Sequence, residues 1–243
     1  MEYREFLPHP VLRSAVECYW SVRGISNDLW MVYPDACMDI LFDFRSVETF
    51  VVGNMFKPIE SRGAGYTDML GIRFHASGIS RILNVPLSAF NDTSVSLETV
   101  YRSGPEVAQL QPLSMQERIN TLDRWLLKRM TFSNSKPETW KHCLDMIVAR
   151  EGSINVYDLA REVGISQKQM ERKFIEKVGP TPKQFAQLLK FRKLKEHLEK
   201  KRDESLMNIA FDFGFTDSAH LTKFFKKFAE TTPTDFCLKS TKA

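Results

Sequence analysis

The stretch that decides the fold is Asp158-Leu-Ala-Arg-Glu-Val-Gly-Ile-Ser166, because it recurs as Met207-Asn-Ile-Ala-Phe-Asp-Phe-Gly-Phe-Thr216. Each copy has an alanine, three further residues, a glycine and an apolar residue. This spacing is typical of a helix-turn-helix, in which a small residue lies where two helices cross and a glycine lies where the chain turns. Two copies in one segment predict a protein that binds two stretches of one DNA groove.

The repeat continues downstream of the turns, which makes a chance match improbable. Five residues recur as similar residues 51 positions later: Met170, Arg172, Phe174, Pro182 and Phe185 correspond to Leu221, Lys223, Phe225, Pro233 and Phe236. The two glycines are only 50 positions apart, so the second turn has one extra residue. The alternative interpretation is a pair of ordinary helical hairpins in an all-α core.

The composition is that of a globular protein of one or two domains, with 243 residues, 43% hydrophobic and 26% charged. The sequence has no long apolar run typical of a membrane span and no apolar core of a signal peptide near Met1. We therefore expect a cytoplasmic, nucleoid-associated protein without a membrane partner. From Trp140 onward there are 20 Lys and Arg against 14 Asp and Glu, so the basic excess lies with the repeat, as DNA binding requires.

Cysteines and histidines are scattered and show no metal-ligand spacing. We expect no metal, no cofactor and no catalytic residue. A cupin-type metalloenzyme would need a histidine-rich site, whereas the N-terminal region has only His9 and His75. A redox sensor based on Cys18 and Cys37 is a further alternative, but no basic residue adjoins Cys37 in the sequence to activate its thiol.

The first part of the chain, residues 1–130, is predicted to be a mixed, mainly β, sensor or dimerisation domain. Alternating apolar residues predict strands at Met38–Phe44, 49–53 and 70–74, and short helices are predicted near Leu12–Trp20 and Gly78–Val85. A helix is predicted at Leu113–Met130, with one apolar stripe that either packs on the sheet or forms a dimer contact.

The polar segment 131–137 is predicted to be a linker, and residues 138–243 an all-α DNA-binding domain. An amphipathic helix should run from Trp140 to about Gly152, and a long helix, Lys183–Lys201, should join the two helix-turn-helix units. The fold class is thus α+β, with a cupin-like or partial-barrel β domain followed by a helical domain.

The DNA contacts are predicted on the second helix of each unit, which enters the major groove. Ser166 should cap the first of these helices, with Gln169 completing a capping box. The outward residues that suit base edges and phosphates are, in the first copy, Gln167, Lys168, Gln169, Glu171 and Arg172, and in the second copy, Ser218, Ala219, His220, Thr222 and Lys223. On the connecting helix, Lys190, Arg192, Lys193 and Lys195 are candidates for phosphate contacts, and Lys193 is the one predicted to bind DNA.

The last hundred residues resemble the DNA-binding domain of AraC/XylS-type transcriptional regulators. The resemblance is carried by Leu159–Ser166, Phe174 with Gly179-Pro-Thr-Pro182, Ile209–Ser218, Phe224–Lys227 and Thr232-Pro233. It implies seven helices, two helix-turn-helix units, and promoter binding that usually activates transcription. The chain departs from the family at Ala229-Glu230, where many members have a glycine.

The N-terminal region is similar, more weakly, to a compact sensor region of some of these regulators. The matching residues are Trp20, Tyr33–Ala36, Met38–Leu41, Val52-Gly53 and Leu70–Phe74. Such regions often bind a small molecule or mediate dimerisation, so Asp35, Asp39 and Arg73 are candidates for a ligand pocket. The alternative interpretation is that Asp35 caps a turn and Arg73 pairs with a carboxylate, without a ligand.

We therefore expect a sequence-specific transcription regulator, an activator and not an enzyme, whose partners are promoter DNA, RNA polymerase, a small-molecule effector and a second copy of the chain. A nonspecific architectural DNA binder is the alternative within the DNA-binding class, and it would show little preference between sequences.

Overall fold

The fold is α+β, as the sequence predicts: an N-terminal antiparallel sheet is followed by a helical C-terminal region. The structure is a computed structural model, and it describes residues 1–27, 29–62, 65–130, 139–201 and 204–239. The predicted linker, 131–137, lies outside the described residues.

Six strands form the main antiparallel sheet, in the order β1-β2-β7-β4-β5-β8, and β3 pairs with β6 in a separate two-stranded ladder. The strands are β1 (Glu2–Phe6), β2 (Val16–Ser26), β3 (Leu29–Val32), β4 (Met38–Asp43), β5 (Glu48–Val52), β6 (Ile59–Arg62), β7 (Gly65–Phe74) and β8 (Ser94–Ser96). The three strands predicted from apolar alternation are confirmed as β4, β5 and β7.

The two faces of the main sheet have different environments, because successive side chains of a strand point to opposite faces. One face carries Ile40, Phe42 and Ile72, which are fully buried in the N-terminal core. The opposite face carries Asp39 and Arg73, which are only partly buried. The core therefore uses one face of the sheet and leaves the other free to line a site.

Helix α3 (Met115–Arg129) closes the N-terminal core, after two single-turn helices, α1 (Leu97–Val100) and α2 (Val107–Leu110). Ser114 and Glu117 form a capping box at its start. Its predicted apolar stripe, from Ile119 to Met130, is buried against the chain's own sheet. These side chains are used within the chain, so the stripe offers no exposed dimer contact.

The predicted helix near Leu12–Trp20 is wrong: only a 3-10 turn, Pro10–Leu12, is helical, and Val16 onward belongs to β2. The helical spacing of Leu12 and Val16 is overridden by pairing, since β2 lies between β1 and β7 and hydrogen-bonds to both. The predicted helix at Gly78–Val85 is present as a shorter 3-10 helix, Gly78–Arg81.

Seven helices follow among the described residues after 138, as the resemblance implies. They are α4 (Thr139–Ala149), α5 (Val156–Val163), α6 (Gln167–Lys177), α7 (Pro182–Lys200), α8 (Leu206–Asp212), α9 (Ser218–Ala229) and α10 (Pro233–Lys239). The long connecting helix is α7, which starts one residue before the prediction, with Thr181 as its N-cap. Its buried residues, including Phe185 and Phe191, centre a second hydrophobic core.

Candidate nucleic-acid interface and effector cavity

The two predicted helix-turn-helix turns have the same backbone conformation. Gly164 and Gly214 both lie in the left-handed region, with φ of 73° and 66°. The next amides, of Ile165 and Phe215, donate to the carbonyls of Ala160 and Ala210 at 3.0 and 2.7 Å. These bonds close the end of α5 and of α8 before the second helix begins. The extra residue of the second turn lies after the glycine, because Ser166 caps α6 two residues after Gly164, whereas Asp217 caps α9 three residues after Gly214.

The first recognition helix, α6, presents the predicted residues to solvent. Ser166 and Gln169 form the predicted capping box, so the Gln169 side-chain oxygen is engaged at the helix start. Met170 and Phe174 are buried, which fixes the rotation of the helix. The remaining predicted DNA contacts on this helix are exposed: Gln167, Lys168, Glu171 and Arg172.

The second recognition helix, α9, is capped by Asp217, whose side chain accepts from the His220 amide at 2.7 Å. This cap was not predicted, although an aspartate directly before a helix is the sequence signal for it. Leu221 is buried, while Ala219, His220 and Lys223 are exposed.

Two further predicted contacts on α9 are half-buried. They are Ser218 and Thr222, and the hydroxyl of Thr222 donates to the carbonyl of Ser218 at 2.7 Å, so this hydroxyl is already engaged within the helix. The second helix therefore offers fewer strong hydrogen-bonding groups than α6.

The four basic side chains of α7 that are candidates for phosphate contacts all contact other groups of the protein. Lys190 lies 4.1 Å from the centre of the Phe215 ring, and Lys195 pairs with Glu199 at 2.9 Å. Lys193 forms ion pairs with Glu151 and Glu196, both at 3.4 Å. Arg192 is turned to the N-terminal sheet, where it pairs with Glu17.

The structure brings together the three candidate ligand residues, Asp35, Asp39 and Arg73. The Arg73 guanidinium bridges the two carboxylates, with Nη2 at 3.2 Å from an oxygen of each. Asp39 also accepts from Trp20 Nε1 at 3.1 Å. Burial and the neighbouring Asp35 raise the pKa of Asp39 to about 6, although the Arg73 charge acts in the opposite direction. Asp35 also caps the Cys37 amide, as the alternative interpretation expected.

These charged side chains line one part of a cavity of about 540 Å³. The cavity lies between the sheet face opposite the core and the β3–β6 ladder, which contributes Trp30 and Ile59. A glycine is needed at position 71 for the Trp20 ring to pack against β7 and line the cavity, because a Cβ there would lie only 2.2 Å from this ring. Sequence reasoning found the charged residues but not these apolar and aromatic walls.

The loop 33–37 separates this cavity from the helical region. Asp35 and Cys37 line the cavity, whereas Ala36 is buried in the core of the helical region. Tyr33 packs edge-on against Phe236 of α10, with ring centres 5.4 Å apart. Ala36 has a left-handed backbone, with φ of 62°, which is unusual for a residue with a side chain.

Two asparagines of the N-terminal region hold the turn between α6 and α7. Asn54 Nδ2 donates to the Val178 carbonyl at 2.9 Å, and Asn91 Nδ2 donates to the Gly179 carbonyl at 3.1 Å. The end of the first recognition helix is therefore fixed directly by the sheet region.

Residues 159–238 match a family model described as a helix-turn-helix domain. These residues therefore form an AraC-type helix-turn-helix domain. Residues 4–96 match a second model, described as a domain of unknown function (DUF6597). Among curated proteins, none matches the chain.

Several solved structures are similar to this chain. ToxT from Vibrio cholerae is 11% identical, covers 98% of this chain and 97% of its own, and has a TM-score of 0.46. A transcriptional regulator with an AraC-type DNA-binding domain from Chromobacterium violaceum is 20% identical, over 42% of this chain and 91% of its own, with a TM-score of 0.37. A DNA-binding transcriptional dual regulator from Escherichia coli K-12 is 16% identical, over 46% of this chain and 100% of its own, also with a TM-score of 0.37.

The described residues also bear on the two alternatives of a metal site and a redox-active cysteine. No group of three or more His, Cys, Asp or Glu in them is placed to hold a metal ion. Burial raises the pKa of Cys18 to about 12 and raises that of Cys37, which disfavours the thiolates a redox sensor needs. This holds although Arg192 Nη1 lies 3.3 Å from Cys37 Sγ, a basic neighbour that the sequence did not reveal. No described helix is long and apolar enough to cross a bilayer.

Proposed function

We propose that this regulator reads two successive major-groove segments of promoter DNA with α6 and α9, and that it activates transcription by contacting RNA polymerase. The observation that carries the proposal is that exposed polar residues occupy equivalent positions after two turns of the same backbone conformation. Arg172 on α6, for example, corresponds to Lys223 on α9. Helix α7 has 19 residues and spans about 28 Å at about 1.5 Å per residue. That length is close to one turn of DNA, about 34 Å.

We further propose that residues 1–130 form a domain that binds a small molecule, dimerises, or does both, and that residues 138–243 form the DNA-binding domain. The cavity beside Asp35, Asp39 and Arg73 supports the ligand role. The loop 33–37 supports a route from the cavity to DNA, because it lines the cavity on one side and packs into the helical core on the other. The asparagine contacts at Val178 and Gly179 link the same region to the end of α6.

The test is selection of a randomised duplex library by the full chain at about physiological salt, followed by sequencing. Enrichment of two short blocks, with centres about 10 base pairs apart, is expected. Retention without an enriched sequence would instead identify an architectural binder.

The proposed phosphate contact of Lys193 is tested with Lys193→Ala. This variant should weaken binding to all sequences alike and reduce the salt dependence of binding. Loss of thermal stability with an unchanged salt dependence would assign Lys193 to its ion pairs with Glu151 and Glu196.

Activation is tested separately by transcription in vitro from a promoter that carries the selected site. More transcript with the protein than without it is expected. Less transcript would overturn the activator role and leave DNA recognition intact.

A further inference from the structure

The cavity under the β3–β6 ladder has one charged end and otherwise mainly apolar walls. Its apolar part includes Tyr3, Trp20, Trp30, Leu41 and Met69. At its charged end, two carboxylates and one guanidinium sum to a negative charge. Met1 also lines the cavity, but its amino group lies away from this end, because Met1 packs beside Gly24, which is paired with Thr67, six residues before Arg73 on β7. A ligand must complement this charge as well as the apolar walls.

Arg73 is already committed to the two carboxylates. Its Nε and Nη2 face Asp39 at 3.4 and 3.2 Å, and Nη2 also faces Asp35 at 3.2 Å. An anionic ligand at this end would bring a third negative charge into a poorly solvated site and would compete with both existing ion pairs. Such uncompensated charge is costly away from water. A cation would instead relieve the excess negative charge.

The aromatic side chains favour the same sign of ligand charge. Tyr3 and Trp20 are stacked with ring centres 6.3 Å apart, and Trp20 lies directly beside Asp39, to which its Nε1 donates. Trp30 enters the cavity from the opposite wall. Faces of tryptophan and tyrosine rings attract cations, and most strongly when water is excluded.

We propose that the cavity binds an apolar organic cation, a hydrophobic amine or a quaternary ammonium compound. Its charged group lies against Asp35 and Asp39, and its apolar part lies among Trp20, Trp30 and Met69. This inference rests on the proposed function, in which the cavity is the effector site. Because Asp35 also caps the Cys37 amide, the cation acts on the loop 33–37 that contacts the helical region.

The test compares three probes that differ only in their polar end: phenylbutylamine, phenylbutanol and phenylbutyrate. Binding to the full chain is measured by calorimetry and by the change in tryptophan fluorescence, to which Trp20 and Trp30 in the cavity wall contribute. The amine is expected to bind about tenfold or more tightly than the alcohol, and the carboxylate more weakly than either. Equal or tighter binding of the carboxylate, or no amine binding, overturns the proposal.

The variants Asp35→Asn and Asp39→Asn should each reduce the preference for amine over alcohol. Glu60→Gln is the matched control, since it removes one negative charge from β6 between the cavity-lining Ile59 and Ser61, and Glu60 is exposed and does not line the cavity. It should leave the preference unchanged. A preference that survives in the double Asp variant overturns the charge assignment, and the comparison of probes on the unaltered chain is independent of whether these variants fold.

The effect of each probe on duplex affinity separates this proposal from the proposed function. Amine binding that leaves duplex affinity unchanged supports the ligand class and contradicts the sensor role. A change in duplex affinity produced by phenylbutyrate alone supports the sensor role and overturns the ligand class.

Discussion

Arg192 of α7 forms a two-point ion pair with Glu17 of β2, although the two residues are 175 positions apart in the chain. Glu17 is the extra residue of an irregularity in β2, where the pairing with β7 shifts between Val16 and Cys18. A bulge of this kind re-aims a side chain, and here Glu17 reaches α7 of the helical region. The guanidinium also contacts Cys37 Sγ at 3.3 Å, at the end of the loop 33–37.

We expect Glu17→Gln to lower the free energy of unfolding by about 1–3 kcal/mol, because hydrogen bonds to a charged partner are lost in a partly buried site. Thermal or denaturant unfolding measures this, and the exchanged pair Glu17→Arg with Arg192→Glu should recover part of the loss. If Glu17→Arg alone, Arg192→Glu alone and the chain with both changes are equally unstable, the two side chains are not energetically coupled.

The same pair has a defined pH dependence. Burial acts to raise the pKa of Glu17, but its hydrogen bonds and charge attraction to Arg192 outweigh this and lower the pKa below the usual 4.5. The stabilisation is therefore present above about pH 4.5 and is lost as pH falls through the lowered pKa. The stability difference between the natural chain and Glu17→Gln should shrink in acid, and a constant difference from neutral pH to pH 3 would contradict this.

Arg172→Ala should weaken binding to the selected duplex by about 1–3 kcal/mol and relax the preference at one base position. Arg172 is exposed on α6 and lies in sequence between Met170 and Phe174, the two buried residues that fix the rotation of the helix. Arg124→Ala is the matched control, because Arg124 is exposed on α3 and bonds to Asn120 and Thr121 of its own helix. An unchanged base preference in Arg172→Ala would exclude direct readout by this side chain.

Gly164→Ala should destabilise the chain by about 1 kcal/mol. Gly164 has a positive φ, and an alanine with this backbone conformation is strained. An added Cβ meets no atom within 4 Å, so steric contact is not the cause. Gly164→Asn should cost less, since asparagine tolerates the left-handed region. Equal melting temperatures for all three chains would show that the turn relaxes.

Glu230→Gly should have the opposite effect and stabilise the chain by about 1 kcal/mol. Glu230 ends α9 with a φ of 54°, at the position where related domains often have glycine. The departure from the family pattern therefore changes the residue but keeps the left-handed turn. A lower melting temperature for Glu230→Gly would mean that the Glu230 side chain contributes more than its backbone strain costs.

The repeat predicted the helical region well because its signals are local. Gly164, Ser166 and Gln169 act within a few residues of each other, and each has its predicted backbone or capping role. The alternation of Met38–Asp43 was equally informative, because β4 has one face in the core and one face on the cavity.

The contacts between the two regions were not predictable in this way. Glu17 lies at a break in strand pairing that has no local signature, and Arg192 appears in the sequence as one more basic residue of an amphipathic helix. Likewise, Leu12 and Val16 have helical spacing, and only pairing with strands distant in the sequence makes Val16 part of β2. The sequence therefore made Arg192 a candidate for phosphate contact, whereas in the fold Arg192 forms an ion pair between the two regions.

The last prediction concerns Asp39, whose pKa is raised to about 6 by burial and by the nearby Asp35, against the attraction of Arg73. The groups that face it are Arg73 from β7, Trp20 from β2 and Asp35 from the loop, and arginine does not titrate in this range. Because the folded state holds the proton more tightly than the unfolded state, Asp39 reduces stability as pH rises from about 4 to about 6.

Asp39→Asn should remove this decrease, so that the variant gains about 1–3 kcal/mol relative to the natural chain between pH 4 and pH 7. In the same interval, the affinity for phenylbutylamine should rise with pH in the natural chain, since the cation binds the ionised carboxylate, and should stay flat in Asp39→Asn. The measurement is a series of unfolding curves and calorimetric titrations at several pH values. An affinity for the amine that falls as pH rises would mean that the protonated form of Asp39 is the one that binds.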